Sequence, residues 1–191
     1  MITLKKKFSD SFNFLYNKKA LVRVDLNVPI KNGEVDDNTR LTRIIPTLKT
    51  LQQKQAKTIL LSHLGRPGGE WNNDFSMKDI CHELSVILKE KITFVDKNIN
   101  NLTANDINES FKDCNFILLE NLRFYPGEKE CNENFIKKLC SLGELYINEC
   151  FSCCHREHAS ISGLPKYLPS FPGKLLEEEI INLKNLILIS S

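Results

Sequence analysis

"KTILLSHLGRPGG", residues 57–69, decides how this chain is read. Lys57 to Ser62 is a short, β-rich apolar run of strand length, and Pro67-Gly68-Gly69 ends it with strong turn residues. Between run and turn the chain places His63 and Arg66. The same design returns in "RVDLNVP" (23–29), "LENLRFYP" (119–126) and "YINECFSCCHREH" (146–158), each of which follows an apolar run and is loaded with polar groups. The runs themselves are "ALVRVD" (20–25), "KTILLS" (57–62), "KITFVD" (91–96), "FILLE" (116–120) and "ELYIN" (144–148). Segments with helical spacing separate them. Leu41, Ile44, Ile45, Leu48 and Leu51 share one helix face; Ile80, Leu84, Ile87 and Leu88 share another, with Ser76 and Asp79 as its expected capping box. A third helix is expected over residues 132–142, with Phe135, Ile136 and Leu139 inward. Alternation of near-continuous apolar strands with amphipathic helices predicts βαβ units on a parallel sheet covered on both faces. The fold class is therefore α/β, a three-layer sandwich of Rossmann-like type. Ligands of such sheets bind outside the carboxyl ends of the strands, so the four polar strand ends are expected to line one crevice.

Bulk properties bound the function. At 191 residues the chain is long enough for one sizeable α/β domain, and 41% hydrophobic with 26% charged residues describes a folded globular protein. The formal net charge of +2 gives no support for nucleic-acid or membrane binding by gross charge. No apolar run is long enough to span a bilayer, and residues 1–20 lack a signal-peptide core. Lys5-Lys6-Lys7 reads as a solvated edge. Seven cysteines, an odd number without a secretory signal, point to a reducing, cytoplasmic setting rather than a disulfide framework. Cys114 and Cys140 lie among apolar neighbours and are expected to pack as small hydrophobes.

The crevice collects Arg40, Arg66, Arg123 and Arg156, the histidines His63, His155 and His158, and Asp25 with Asn27. Arginine forks bind phosphate and carboxylate oxygens in pairs, so four of them suit a small ligand with more than one negative charge. Asp25 and Asn27 could meet hydroxyls, or Asp25 could simply pair with an arginine. The helix starting near Thr39 offers backbone N–H groups. Several engines are missing: there is no G-x-x-x-x-G-K-[ST] loop, no G-x-G-x-x-G fingerprint and no G-x-S-x-G elbow. Gly173-Lys174 in "SFPGKLL" lacks the upstream glycine and the following hydroxyl residue. "CFSCCHREH" (150–158) carries zinc-type ligands, but four of them within nine residues would close a very tight loop. The same residues could hold a redox-sensitive thiol beside Arg156, or three small packed side chains.

Taken in order, "LVRVDLNVP", "DDNTR" (36–40), "LLSHLGRP", "LLENLRFYPGE" (118–128), "INECFSCCHREHAS" (147–160) and "LPSFPGKLLEEE" (168–179) resemble the phosphoglycerate kinase family, specifically its N-terminal domain. The resemblance extends over nearly the whole chain. It implies a site for 3-phosphoglycerate or its acyl phosphate, 1,3-bisphosphoglycerate. Asp25 and Asn27 would contact the hydroxyl-bearing part, and His63, Arg66, Arg123 and Arg156 would hold the 3-phosphate. Arg40 would lie near the carboxylate and act catalytically on the phosphoryl group in flight. No metal ligand is implied among these residues. The family usually has Asp-Ala-Phe-Gly where this chain has Glu149-Cys150-Phe151-Ser152, and Glu157 stands next to Arg156. Residues 1–175 would form the substrate-binding domain and 176–191 the start of a truncated inter-domain helix. The family's C-terminal domain, which holds Mg-ATP or Mg-ADP, would be absent. The complete enzyme would be cytoplasmic and monomeric. The lone chain would lack turnover and would bind no nucleotide, and the apolar stretch 180–189 could drive its self-association.

Overall fold

A computed structural model describes residues 6–31 and 34–189; Lys5 and the last two residues lie outside this range, as do the side chains beyond Leu186 on which part of the self-association expectation falls. The strands and helices run β1 (Lys19–Arg23), β2 (Ile30–Lys31), β3 (Glu34–Val35), α1 (Thr39–Gln53), β4 (Lys57–Leu61), α2 (Lys78–Leu88), β5 (Ile92–Val95), α3 (Ala104–Ser110), β6 (Phe116–Leu119), α4 (Pro126–Lys129), α5 (Glu133–Cys140), β7 (Leu145–Asn148), β8 (Ser170–Pro172) and α6 (Lys174–Ile189). Six strands form one parallel sheet in the order β5-β6-β4-β1-β7-β8, and β2 with β3 makes a small antiparallel ribbon. From β1 the chain adds β4, then the edge strand β5, then β6 between β4 and β5, and crosses back to add β7 on the other side of β1. That reversal makes a switch point at β1, where an open parallel sheet offers a crevice.

Strand residues alternate between two apolar layers, as the period of two requires. Ala20, Val22 and Val24 join Leu60, Leu118 and Ile147 in the layer packed by α1 and α2. Leu21, Ile59, Leu61, Ile117 and Tyr146 face the opposite layer, packed by α3, α5 and residues 159–164. These are the two cores of a three-layer sandwich. Cys114, Cys131 and Cys140 pack at the margin of the second layer and are only half-buried. No helix among the described residues is long and apolar enough to cross a membrane.

Two local expectations are corrected. β8 extends the series beyond β7; its three residues, with Pro172 among them, carry too short an apolar signal to read as a strand. Ser76 does not open a capping box with Asp79: α2 begins after Met77 without a side-chain cap. Instead the Ser76 hydroxyl donates to Glu120 at 2.8 Å, and Glu120 also accepts from Met77 N at 2.9 Å and Asn121 N at 2.6 Å. A buried carboxylate from the end of β6 thus takes over the start of α2.

Gly65 fixes the turn after β4. Its φ of 59° lies in the left-handed region, and an added Cβ would sit 2.3 Å from the Phe75 ring. Its N–H donates to Asn27 Oδ1 at 2.8 Å and its carbonyl accepts from Arg123 Nη1 at 2.5 Å, so this residue joins three strand ends. Gly65→Ala combines backbone strain with overpacking and should cost about 2–4 kcal/mol, read as a lower urea midpoint with an unchanged m-value.

Candidate anion-binding site

The site grows from a charge inside the sheet. Arg23, the last residue of β1, is 1% exposed. Such a group must be paired and hydrogen-bonded, because an uncompensated buried charge is strongly destabilising. Its Nε donates to Ser160 Oγ at 3.0 Å, one Nη donates to Val24 O, and the other donates to His63 Nδ1 at 2.9 Å. Ser160 continues the chain, its hydroxyl donating at 2.5 Å and its N–H at 3.0 Å to the buried Glu128 carboxylate. His158 Nδ1 lies 3.8 Å from the same carboxylate. Burial pushes Glu128 up, and Arg23 acts against that rise.

Arg23 also settles the state of His63. A guanidinium can only donate, so Nδ1 of His63 is the acceptor and Nε2 keeps the proton. Burial, then Arg23, Arg123 and Arg156, pushes His63 down to about 2. His63 is therefore a neutral hydrogen-bond donor near pH 7, not a cation. His158 is pushed down to about 4 by burial and by Arg123 and Arg156.

Around this framework the strand ends form two cavities. The larger, about 590 Å³, is lined by Arg66, Gly68, Arg123, Lys129, Arg156 and His158. Arg66 comes from the turn after β4, Arg123 from the 3-10 turn Leu122–Phe124 after β6, and Arg156 and His158 from the loop after β7. Asn121 anchors this wall: its Oδ1 accepts from Arg123 N at 3.0 Å, and its Nδ2 donates to Leu64 O and Phe75 O at 2.8 and 2.9 Å. Trp71 packs on Phe124, next in sequence to Arg123, with ring centroids 4.8 Å apart and the rings tilted by 50°. Three guanidiniums and an ammonium facing one cavity suit a multiply charged oxyanion.

The smaller cavity, about 170 Å³, includes Asp25, Arg40, Arg43, Cys150, Ser152 and Glu179 in its wall. Arg40 pairs with Asp25 at 2.6 Å, and Ser152 Oγ donates to the same Asp25 oxygen at 2.6 Å. The seven expected residues are thus divided. Arg66, Arg123 and Arg156 share the larger cavity, Asp25 and Arg40 the smaller, and His63 sits behind them against Arg23. Asn27 is already engaged with Gly65 N. His155 and Glu157 are exposed, and no ion pair joins Arg156 to Glu157 among the described residues. Thr39 N is taken by Asp37 Oδ1 at 2.8 Å.

Sequence reasoning missed Arg23 and Lys129. A lone arginine inside "ALVRVD" was the available signal for the first; nothing marked the second. Gly173-Lys174 is no phosphate cradle, since an added Cβ at Gly173 would lie 1.7 Å from Glu149 Oε2, where an acidic side chain already occupies the approach. No group of three or more His, Cys, Asp or Glu among the described residues could hold a metal ion.

The chain is a doubly wound parallel α/β domain with an arginine-lined cavity at its switch point, a candidate anion site. The phosphoglycerate kinase family model matches residues 10–189. This chain belongs to the phosphoglycerate kinase family. It is 44% identical over 181 residues to the phosphoglycerate kinase of Wolbachia sp. subsp. Drosophila simulans (strain wRi), covering 91% of this chain and 43% of the relative. It is 42% identical over 174 residues to that of Sinorhizobium fredii (strain NBRC 101917 / NGR234), again 91% of this chain and 43% of the relative. Among solved structures it is similar to phosphoglycerate kinase from Pyrococcus horikoshii OT3, with TM-score 0.82, 28% identity, and 94% of this chain against 45% of that one. The corresponding enzyme from Coxiella burnetii gives TM-score 0.77 and 31% identity, with 87% of this chain and 41% of that one covered. The chain therefore spans less than half the length of these relatives.

Replacing Arg23 by Met strands Glu128 and leaves His63 Nδ1 without its donor; the loss should be about 3–5 kcal/mol in urea unfolding. A second outcome concerns pH. The unfolded histidine protonates near its ordinary 6.5 while folded His63 resists down to about 2, so its contribution is complete above 6.5 and lost as pH falls. His63→Asn keeps an acceptor for Arg23 and removes the titration. Below pH 6.5 the wild type should lose about 1.4 kcal/mol per pH unit more than this variant; equal slopes would show that His63 protonates freely in the folded chain.

Proposed function

We propose that this chain is the substrate-binding half of a glycolytic phosphoglycerate kinase acting in the cytoplasm, and that its larger cavity takes the 3-phosphate of 3-phosphoglycerate or 1,3-bisphosphoglycerate. The observation that carries this reading is the convergence of Arg66, Arg123, Arg156, Lys129 and His158 on one cavity of about 590 Å³ at the strand carboxyl ends. Arginine forks would clamp phosphate oxygens, and His63, held neutral, would donate through Nε2 without adding charge. Asp25 and Asn27 would accept or donate to the substrate hydroxyl, at the expense of part of the Arg40–Asp25 pair. Arg40, half-exposed at the mouth of the smaller cavity, would swing from Asp25 towards the carboxyl end of the substrate.

The reaction is a reversible in-line phosphoryl transfer between 1,3-bisphosphoglycerate with ADP and 3-phosphoglycerate with ATP. Such transfers depend on positioning and charge neutralisation and need no side-chain nucleophile. Magnesium-bound ATP or ADP supplies or takes up the phosphoryl group when bound. The residues present here do not form a site for it, and we assign it to the part of the family's length that this chain does not span. Arg40 is then the one residue of this half expected to act on the group in transit.

Titration with 3-phosphoglycerate, followed by calorimetry and by the fluorescence of the single tryptophan, Trp71, tests the reading. Binding should occur, and Arg66→Ala should weaken it about 10-fold or more, the value of a lost charge-assisted pair. No binding, or binding indifferent to Arg66→Ala, overturns the substrate assignment. Residues 1–191 alone should show no ATP-dependent phosphorylation of 3-phosphoglycerate; robust turnover overturns the assignment of the nucleotide elsewhere.

A further inference from the structure

The turn after β7 concentrates thiols that the anion site does not use. Cys150 and Cys153 are 1% and 3% exposed and pack together with Ile161. They flank one 3-10 turn, with Cys153 N donating to Cys150 O at 3.3 Å. Side chains three residues apart eclipse in such a turn, which puts both sulfurs on the same face. Ser152 Oγ lies 3.5 Å from Cys150 Sγ and 3.8 Å from Cys153 Sγ. Arg23 Nη2 lies 4.0 Å from Cys153 Sγ, a cation aimed at the second sulfur from inside the sheet. A thiolate next to a guanidinium is the attacking form of cysteine.

We propose that Cys150 and Cys153 are a reversible dithiol–disulfide site whose oxidant is a small hydroperoxide, with Cys153 as the attacking sulfur and Cys150 as the resolving one. Interaction between the two thiols lowers Cys153 and raises Cys150; Arg23, 4.0 Å from the Cys153 sulfur, adds to the lowering against burial, and burial adds to the rise of Cys150. The nearest opening is the smaller cavity, about 170 Å³, whose wall includes Cys150 and Ser152; Cys153 lies behind that wall, 3.8 Å from Ser152 Oγ. In the first step the Cys153 sulfur forms a bond to one peroxide oxygen, the O–O bond breaks, and the alkoxide (or hydroxide) leaving takes up the proton that Cys153 had released. Cys153 is now a sulfenic acid. Cys150 sulfur then attacks the Cys153 sulfur, the S–O bond breaks, and the hydroxyl leaves as water with the Cys150 proton. Two thiols and one hydroperoxide give one disulfide, one alcohol and one water. A dithiol reductant reverses the link.

The other cysteines lack this arrangement. Cys154 is exposed but its thiol points back to Cys150 O at 3.3 Å, and Cys81 is pushed up to about 12 by burial. Cys114 has no cation among its sulfur contacts, which are Thr93 Oγ1, Ser110 O and Phe116 O. The turn also carries Ser152 on Asp25 and precedes Arg156, whose N–H donates to Cys153 O at 2.9 Å. A link there is a covalent constraint on the loop that both cavities share.

The test treats the reduced chain with an equivalent of hydrogen peroxide, blocks free thiols by alkylation and maps the peptides by mass spectrometry. A Cys150–Cys153 link, lighter by two hydrogens and reopened by dithiothreitol, is expected to form about 10-fold faster than any oxidation of Cys114. Cys154→Ser should keep it. Cys150→Ser should leave Cys153 as a sulfenic acid that a cyclic 1,3-dione captures. Oxidation that falls first on Cys154 or Cys114, a link through Cys154, or a Cys153 blind to the dione would each overturn the proposal. The wild-type map decides even if Cys150→Ser does not fold.

Discussion

The structure depends on one buried cation. Arg23 ends the central strand with its charge inside the second apolar layer, and every group around it is arranged to answer that charge. Ser160 relays it to Glu128, which ties the loop after β7 to α4; His63 accepts from it, which ties β4 to β1. Solvent could not perform this task, because desolvating a guanidinium leaves it dependent on fixed partners. The cavity arginines are consequently mounted on a framework already rigid. Arg156 and Arg66 act against Arg123, which Asn121 Oδ1 and Gly65 O hold in place, while Arg156 N is tied to Cys153 O. An anion placed among them would relieve that repulsion.

The division into two cavities has a chemical sense. One set of cations is held apart from carboxylates and stays available to an oxyanion. The other set is self-neutralised, with Arg40 on Asp25 and Ser152 on the same oxygen. The Arg40 end of this pair is half-exposed, whereas Asp25 is only 15% exposed. Of the two arginines, Arg40 is the more exposed, whereas Arg123 is buried with Gly65 O as acceptor.

Much of this was legible in the residues. Apolar runs of strand length ending in polar words named the parallel sheet and the polar loops at its carboxyl end, because strand period and turn chemistry are local properties. Arg66, Arg123 and Arg156 were found for the same reason. Long-range exchange of partners was not legible. Ser76 has the spacing of a cap, yet Glu120 from another strand claims it; Asn27 Oδ1 accepts from Gly65 N, a bond that no local pattern announces. Arg23 hid inside a strand because a buried charge is permitted only by neighbours 40 to 137 residues away, which no window contains. Ser152, noticed only as a departure from glycine, proved to be a donor to Asp25.

Glu149 shows how such long-range bonds set the conditions under which the fold holds. Its carboxyl accepts from Thr47 Oγ1 and from Leu175 N, joining β7 to α1 and to the first turn of α6. The family's shorter Asp would stop a methylene short of that reach. Burial pushes Glu149 up to about 7 although these hydrogen bonds act the other way. An acid raised in the folded state favours folding most at low pH and loses that contribution as pH rises from its ordinary 4.5 to about 7. His63 has the opposite sign over an overlapping range, gaining as pH rises to 6.5. Between 4.5 and 6.5 the two slopes cancel. His158, lowered to about 4, tips the balance towards the upper end of that window, and Glu128 pulls it back. Stability is therefore governed on the acid side by histidines that must stay neutral against arginines, so the cation cluster that builds the site also defines its tolerance to protons.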